Sequence, residues 1–244
     1  MTDLTNGLPE LGEIREGFRR SGRHTRDFNM WLVDRSAPTP DEKEILESVP
    51  FMQGEYDFST ILGERVYSNR TLSYVFEILD RDYTHRKTIQ TAVENWLMKD
   101  GMAPLYDDHA EFYYYMAKCT SVDTEDSSGG LTVNIQFTAY PFKIGEFEEG
   151  NDYWDTFNFE LDTTQPNQYQ ISGSQTITVY NTGSTGISPK IIASAPMTIV
   201  KNSVTYNIPS GESQSETFRL ETGANPMTIT GNGTIQFLWH KELI

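Results

Sequence analysis

A single cysteine, Cys119, stands among 244 residues, so the chain can close no intrachain disulfide and assemble no cluster of thiolate ligands. Histidine is nearly as scarce. His24, His85, His109 and His240 are scattered, with no H-x-H, H-E-x-x-H or C-x-x-C setting to hold a metal. No glycine-rich phosphate cradle and no G-x-S-x-G elbow occurs, and nothing selects a pair of carboxylates for hydrolysis. No enzyme activity, cofactor or metal is therefore expected. No apolar run approaches the ~20 residues that span a bilayer. The stretch from Met1 to Leu11 is polar and acidic, without the apolar core of a signal peptide, so synthesis and folding in a cytoplasm are expected.

Basic residues are also few. Nineteen Lys and Arg face 35 Asp and Glu, a formal charge of −16, which repels nucleic acid at long range and excludes the basic footprint of a nucleic-acid binder. Residues 1–150 carry −12 of this charge and residues 151–244 carry −4. The one basic concentration is five arginines between Arg15 and Arg26, read as partners for neighbouring acids. Asp107-Asp108-His109 and Asp123-Thr124-Glu125-Asp126 lack the oxygen spacing of a calcium loop and read as solvated turns.

What the chain has in abundance is aromatic and turn-forming residues. Twelve per cent aromatics, with many Thr, Ser, Asn and Gly, describe a mainly β protein. The length suits two domains with separate cores. We expect a flexible leader over 1–16, a first domain over 17–149 and a second over 150–244.

The first domain opens on hairpin text. Phe18 to Thr25 reads as a strand, a Ser21-Gly22 turn and a return, running on into Phe28 to Val33. Ala37-Pro38-Thr39-Pro40 then forces an extended connection into a projecting segment from Val49-Pro50 to Phe58. Phe51, Tyr56 and Phe58 in this arm either tuck onto their own domain or anchor a neighbouring subunit. Leu72, Tyr74, Phe76 and Ile78 alternate as the buried face of a strand, with Val75 partly burying the other face. The period then changes to that of a helix: Ile89, Ala92, Val93, Trp96 and Leu97 form one stripe. Asp82 or Thr84 serves as N-cap, and Lys99-Asp100-Gly101 makes a cationic, glycine-terminated end. Two strands follow around Asp107-Asp108-His109. Cys119 is read as a core residue, and Leu131, Val133, Ile135 and Phe137 alternate on a return strand after the Ser127 to Gly130 tip.

Beyond Tyr153 the sequence is uniform. Gln175–Tyr180, Pro189–Ala193, Met197–Val200, Val204–Ile208, Glu216–Leu220, Met227–Thr230 and Thr234–Trp239 are short strands separated by Gly, Asn, Ser and Pro turns. A β-sandwich or jelly-roll-like domain is expected. Tyr153, Trp154, Tyr169 and Trp239 are the aromatics that could stack on sugar rings, with a core role favoured for Trp239.

The order of these pieces resembles the distal tail protein (Dit) family of siphophages infecting Gram-positive bacteria. The residues that carry the resemblance are Gly17-Phe18, Asp27-Phe28, the Val49–Phe58 segment, Tyr67 to Ile78, the single helix, the aromatic strand Phe112 to Ala117, and Phe137-Thr138-Ala139-Tyr140-Pro141-Phe142. The resemblance implies an N-terminal β-sandwich with one packed helix and a projecting arm, followed by a C-terminal galectin-like β-sandwich. It further implies a virion component at the distal end of a phage tail. There a homo-hexameric ring joins the tail tube protein to the tail-tip or tail-associated lysin protein and to receptor-binding or baseplate proteins, with DNA passing through. Phe51, Tyr56 and Phe58 are the implied subunit-interface residues. The sequence departs from the family pattern in its leader, in Arg20-Ser21-Gly22 where Asn-Gly is usual, and in Val49-Pro50-Phe51-Met52-Gln53-Gly54 where Val-Pro-Gly is usual. The alternative is a carbohydrate-binding tail protein that reads host cell-wall glycans through its second domain. A hydrolase with an unrecognised carboxylate pair stands third.

Overall fold

A computed structural model of the chain describes residues 16–61, 63–127, 129–150 and 163–244. The expected leader up to residue 15 and the aromatics Tyr153 and Trp154 lie outside them. Contacts divide the chain into two units, Met1–Lys143 and Ile144–Ile244.

In the first unit, β1 (Phe18–Arg20) and β2 (Arg23–His24) form the expected hairpin, with Ser21 and Gly22 at positive φ in its turn. The chain does not run straight on into a strand at Phe28. Thr25–Phe28 is a 3-10 turn instead, because the His24 and Asp27 side chains cap it reciprocally and Asn29 takes a left-handed conformation at φ 53°. β3 (Trp31–Ser36) begins after that break. The arm contributes β4 (Leu46–Glu47) and β5 (Tyr56–Asp57), a two-stranded sheet of its own. β6 (Arg70–Ile78) follows, then α1 (Tyr83–Met98), β7 (Ala103–Asp107), β8 (Tyr113–Asp126) and β9 (Leu131–Gly145).

The main sheet runs β2-β1-β7-β8-β9-β6-β3. β1 and β6 are four places apart in that order, which in a flat sheet would separate them by roughly 19 Å. Yet the rings of Phe18 on β1 and Tyr74 on β6 are 4.9 Å apart, and Phe18 also meets Phe76 and Phe137. The sheet must therefore fold over on itself as a sandwich, with these rings as its filling; each contributes about 1.5–3 kcal/mol of burial. The alternation read from the sequence is the inward face: Leu72, Tyr74, Phe76 and Ile78 on β6 oppose Phe137, Ile135, Val133 and Leu131 on β9 in antiparallel register.

Helix α1 packs its stripe of Ile89, Val93, Trp96 and Leu97 onto this core. Trp96 stacks on Phe28 and Phe18, and its indole N–H donates to the Arg20 carbonyl at 3.0 Å. Asp82 is the N-cap, accepting from the Thr84 and His85 amides. The far end differs from the expected glycine stop. The helix ends at Lys99 in right-handed conformation, and Gly101 has no left-handed φ. The reason lies in β1: the Arg20 guanidinium donates to the carbonyls of Asp100 and Gly101, and to those of Ala103 and Ala117 at 3.1 and 2.8 Å. A buried cation supplies the cap that a left-handed glycine would otherwise provide.

The second unit contains β10 (Gln168–Asn181), β11 (Lys190–Ala193), β12 (Met197–Lys201), β13 (Val204–Ile208), β14 (Gly211–Ser213), β15 (Gly223–Leu238) and β16 (Glu242–Leu243). The two strands expected at Met227–Thr230 and Thr234–Trp239 are one, β15. Gly223 to Gln236 pairs with β10, while on its other side Thr228–Thr230 pairs with β12 and Ile235–Leu238 pairs with β11. The change of partner falls at Gly231-Asn232-Gly233, where both glycines adopt positive φ, 154° and 140°. A Cβ on Gly231 would sit 2.7 Å from Met197 Cγ, so the backbone bends where only glycine fits. Glu216–Leu220, expected as a strand, is irregular: it forms an isolated bridge to Ile187 and accepts from Lys201 of β12 and Tyr206 of β13 through the Arg219 and Thr217 carbonyls. Its task is to deliver Phe218 and Leu220 into the core beside Phe237.

Candidate interaction surface

Chemistry-bearing clusters do not converge. Among the described residues no group of three or more His, Cys, Asp or Glu could hold a metal ion. Cys119 is buried, and burial pushes its thiol up to about 11, which leaves it a core residue and not a nucleophile. The acidic turn read as solvated is not so. The Asp107 carboxylate has no exposed surface: it accepts from Tyr74 Oη at 2.7 Å, Arg35 Nε at 2.7 Å and the His109 amide at 3.0 Å. Asp108 pairs with His24 at 3.0 Å and Arg26 at 3.8 Å, as the expectation for the basic segment requires.

The surface that stands out is the arm. Its root is a hydrogen-bonded ladder: Ser68 N–H to Asp41 C=O and Lys43 N–H to Val66 C=O, both 2.8 Å. Further out, Phe58 N–H donates to Ile45 C=O at 2.9 Å. Ser59 is buried, and its hydroxyl accepts from the Ile45 amide at 2.8 Å. The Ser59 hydroxyl and amide both donate to Asp57, holding its carboxyl below the usual range. The backbone is thus tied down, but the side chains are not covered. An isolated two-stranded ribbon is marginal in water, so an arm of this kind needs another surface to pack on.

Of the three aromatics singled out from the sequence, Phe51 is 108% exposed at the tip. It sits at φ 70°, a left-handed conformation that costs a residue with a Cβ about 1–2 kcal/mol. Tyr56 on β5 and Phe58 just after it have ring centroids 6.1 Å apart and are 54% and 40% exposed. Sequence reasoning missed their aliphatic companions. Ile45, Leu46, Val49, Ile61 and Val66 are exposed as well, so eight of the seventeen exposed large hydrophobic residues described lie between 45 and 66. That concentration of exposed large apolar residues in one segment makes the arm the candidate contact surface. The signal was present in the sequence as apolar residues interleaved with seven carboxylates between Asp41 and Glu64, too irregular to show a period.

In the second unit the two described candidates for sugar stacking are not presented. Trp239 is 3% exposed in the core, and Tyr169 lies half-buried against the Phe237 ring at 6.3 Å. A cavity of about 310 Å³ is lined by Glu148, Lys190, Gln214, Trp239 and His240, with Trp239 only 3% exposed in its wall.

No family model matches the chain, and no curated protein matches it. Solved structures do. The crystal structure of the SPP1 Dit protein, described as a paradigm of the hub adsorption apparatus in phages that infect Gram-positive bacteria, matches with a TM-score of 0.65 at 12% identity. The match covers 92% of this chain and 98% of that one. Two structures of the phage P2 baseplate in its activated conformation, with Ca and with Sr, match at TM-scores of 0.43 and 0.39 and 8% identity. They cover 91% and 90% of this chain and 93% and 92% of theirs. The chain therefore carries a Dit-like tail-hub fold, mainly β with one helix, as its sequence implied.

Proposed function

We propose that this chain is a non-enzymatic structural hub at the distal end of a long-tailed phage. It closes a homo-hexameric ring that connects the tail tube to the tail-tip, receptor-binding or baseplate proteins and lets DNA pass. The observation that carries the reading is the arm: a backbone-anchored ribbon whose apolar side chains face outwards on a fold shared, over nearly its whole length, with a hub protein. Closed rings form when each subunit presents one patch to a different patch on the next. An arm of this kind supplies the first of those patches through Phe51, Tyr56 and Phe58. The second unit reads as a galectin-like platform for other tail proteins. Of the aromatics singled out for sugar stacking, the two that are described, Tyr169 and Trp239, are half-buried and buried, which weighs against sugar recognition through them.

The test is the mass of the purified chain by light scattering, with negative-stain images of the same peak. Six-fold rings, single or stacked, are expected. Tyr56→Ala with Phe58→Ala should lose them while leaving a folded monomer. A wild-type chain that stays monomeric at every concentration, alone and with tail-tube protein, would end the reading.

A further inference from the structure

Among the described strands the main sheet ends on β2 at one edge and β3 at the other, yet only the turn Thr25–Phe28 and two further residues separate them in the chain. That turn therefore links the two edges of the folded-over sheet. It also seats part of the core. Thr25 is fully buried and its hydroxyl accepts from the Phe18 amide at 3.4 Å, while Phe28 stacks on Trp96 with ring centroids 5.0 Å apart. The backbone bonds around it, Asn29 N–H to Arg26 C=O at 3.0 Å and Met30 N–H to Thr25 C=O at 3.4 Å, are those of a single tight turn, so its caps matter.

One of those caps is a titratable ring. His24 Nδ1 lies 3.0 Å from the Arg26 amide, which can only donate, so Nδ1 must present its lone pair. The ring proton then sits on Nε2, 3.0 Å from a carboxylate oxygen of Asp108 that accepts it. A neutral ring in this tautomer satisfies both partners. A charged ring cannot, because a second proton on Nδ1 would point one N–H at another.

The charged groups around the ring come from three elements. They are Asp108 after β7, Arg26 with its guanidinium 3.1 Å from Nε2, Asp27 accepting from the His24 amide at 2.9 Å, and Arg19 opposite His24 in the hairpin register. His109 is engaged elsewhere, 3.5 Å from Asp107 and 3.9 Å from Glu16. The His24 side chain is 12% exposed. Burial, opposed by Asp108 and Asp27 and aided by Arg26, holds its pKa below the ordinary 6.5.

We propose that the His24-capped turn is an acid-released clasp: protonation of Nδ1 uncaps Thr25–Phe28 and loosens the link between the two edges of the sheet, while the core strands keep their pairing. The sign follows from linkage. The opened turn binds the proton more tightly than the closed one, so acid favours opening. One proton taken up on opening raises the opened population by up to about ten-fold per pH unit below 6.5, until the closed turn protonates as well.

The test is made on the full-length chain across the range from neutral pH to about pH 5. Side-chain ¹⁵N spectra at neutral pH should show His24 with its proton on Nε2 and a bare Nδ1, and should give a titration midpoint below 6.5. Amide exchange, corrected for its intrinsic pH dependence, should show Asn29 and Met30 losing protection as the pH falls, by up to about ten-fold per unit, while the β6 and β9 amides hold theirs. His24→Asn keeps a short capping acceptor and removes the titration, so its turn should be equally protected throughout. A proton on Nδ1 of the neutral ring, a midpoint at or above 6.5, or the same loss in His24→Asn overturns the clasp. So does a parallel loss in β6 and β9, which would mean that the whole unit opens. Should that variant not fold, the wild-type tautomer and midpoint decide alone.

Discussion

The two units solve the same problem of burying a β core and differ in what they leave outside it. In the second, buried cations and amides are satisfied by loop carbonyls within the unit. Lys201 donates to the Arg219 carbonyl, Asn181 to those of Thr185 and Leu220, and Asn225 to those of Glu221 and Gly223. Its outward positions on β10 are mostly Ser, Thr and Gln, with Ser174–Thr230 and Thr176–Thr228 hydroxyl pairs running along the surface. In the first, the core ends in a charged network with orphaned nitrogens, and the apolar residues that could have entered a core stand on an arm outside it. Orphaned buried atoms occur in both, Thr182 Oγ1, Ser213 Oγ and Trp239 Nε1 in the second unit among them, so what separates the units is the arm, where the exposed large apolar residues of the first concentrate.

The comparison breaks most visibly at Asp107. Asp107→Ala strands the Arg35 guanidinium and the Tyr74 hydroxyl in the core, and about 3–5 kcal/mol should be lost. Hydrogen exchange should show protection falling across 70–143 while 168–239 is unchanged. Arg20→Met comes next. It leaves the carbonyls that end α1 and line β7 and β8 without donors, at roughly 1–3 kcal/mol for each group that water cannot reach. Chemical denaturation should place it below the wild type, with α1 the first element to exchange.

Gly231→Ala probes the second unit alone. The conformation at φ 154° and the contact with Met197 should cost about 1–3 kcal/mol, read as lost protection in β10, β12 and β15 with the first unit untouched. The arm should behave in the opposite sense. Phe51→Ser removes a side chain that touches nothing in the subunit, so thermal unfolding of the monomer should shift by no more than ~0.5 kcal/mol while assembly weakens. A large loss of monomer stability would show that the arm packs on its own unit.

The smallest effect is a pH dependence. Burial, opposed by Asp108 and aided by Arg26, lowers the pKa of His24 below its ordinary value of 6.5. The folded state then binds fewer protons than the unfolded one. The His24 contribution is therefore full above pH 6.5 and is lost as the pH falls through that value towards the folded pKa. His24→Gln should flatten the stability profile in that window and leave the profile above pH 7 unchanged.

Local periodicity carried the parts of this fold that depend on local rules. The alternation of Leu72, Tyr74, Phe76 and Ile78, the stripe on α1 and the Asp82 cap were all legible, because strand and helix geometry sort side chains by spacing alone. The arm's aromatics could be named, but their exposure could not, since tucked and projecting segments between Pro50 and Gly54 read alike. Asp107 was misjudged for the same reason. Nothing in Asp107-Asp108-His109 separates a carboxylate bound by Tyr74 and Arg35 from one in water, as those partners come from strands 33 and 72 residues away. The continuity of β15 was hidden behind two glycines that elsewhere mark a turn. By itself the sequence determined a mainly β chain with one helix, without disulfide or metal motif and with an acidic surface, because composition and short-range spacing decide these. Only the tertiary structure decided which charges are buried, which of their nitrogens go without a partner and which apolar residues remain outside. Those follow from long-range packing, in which a residue's environment is made by partners far along the chain.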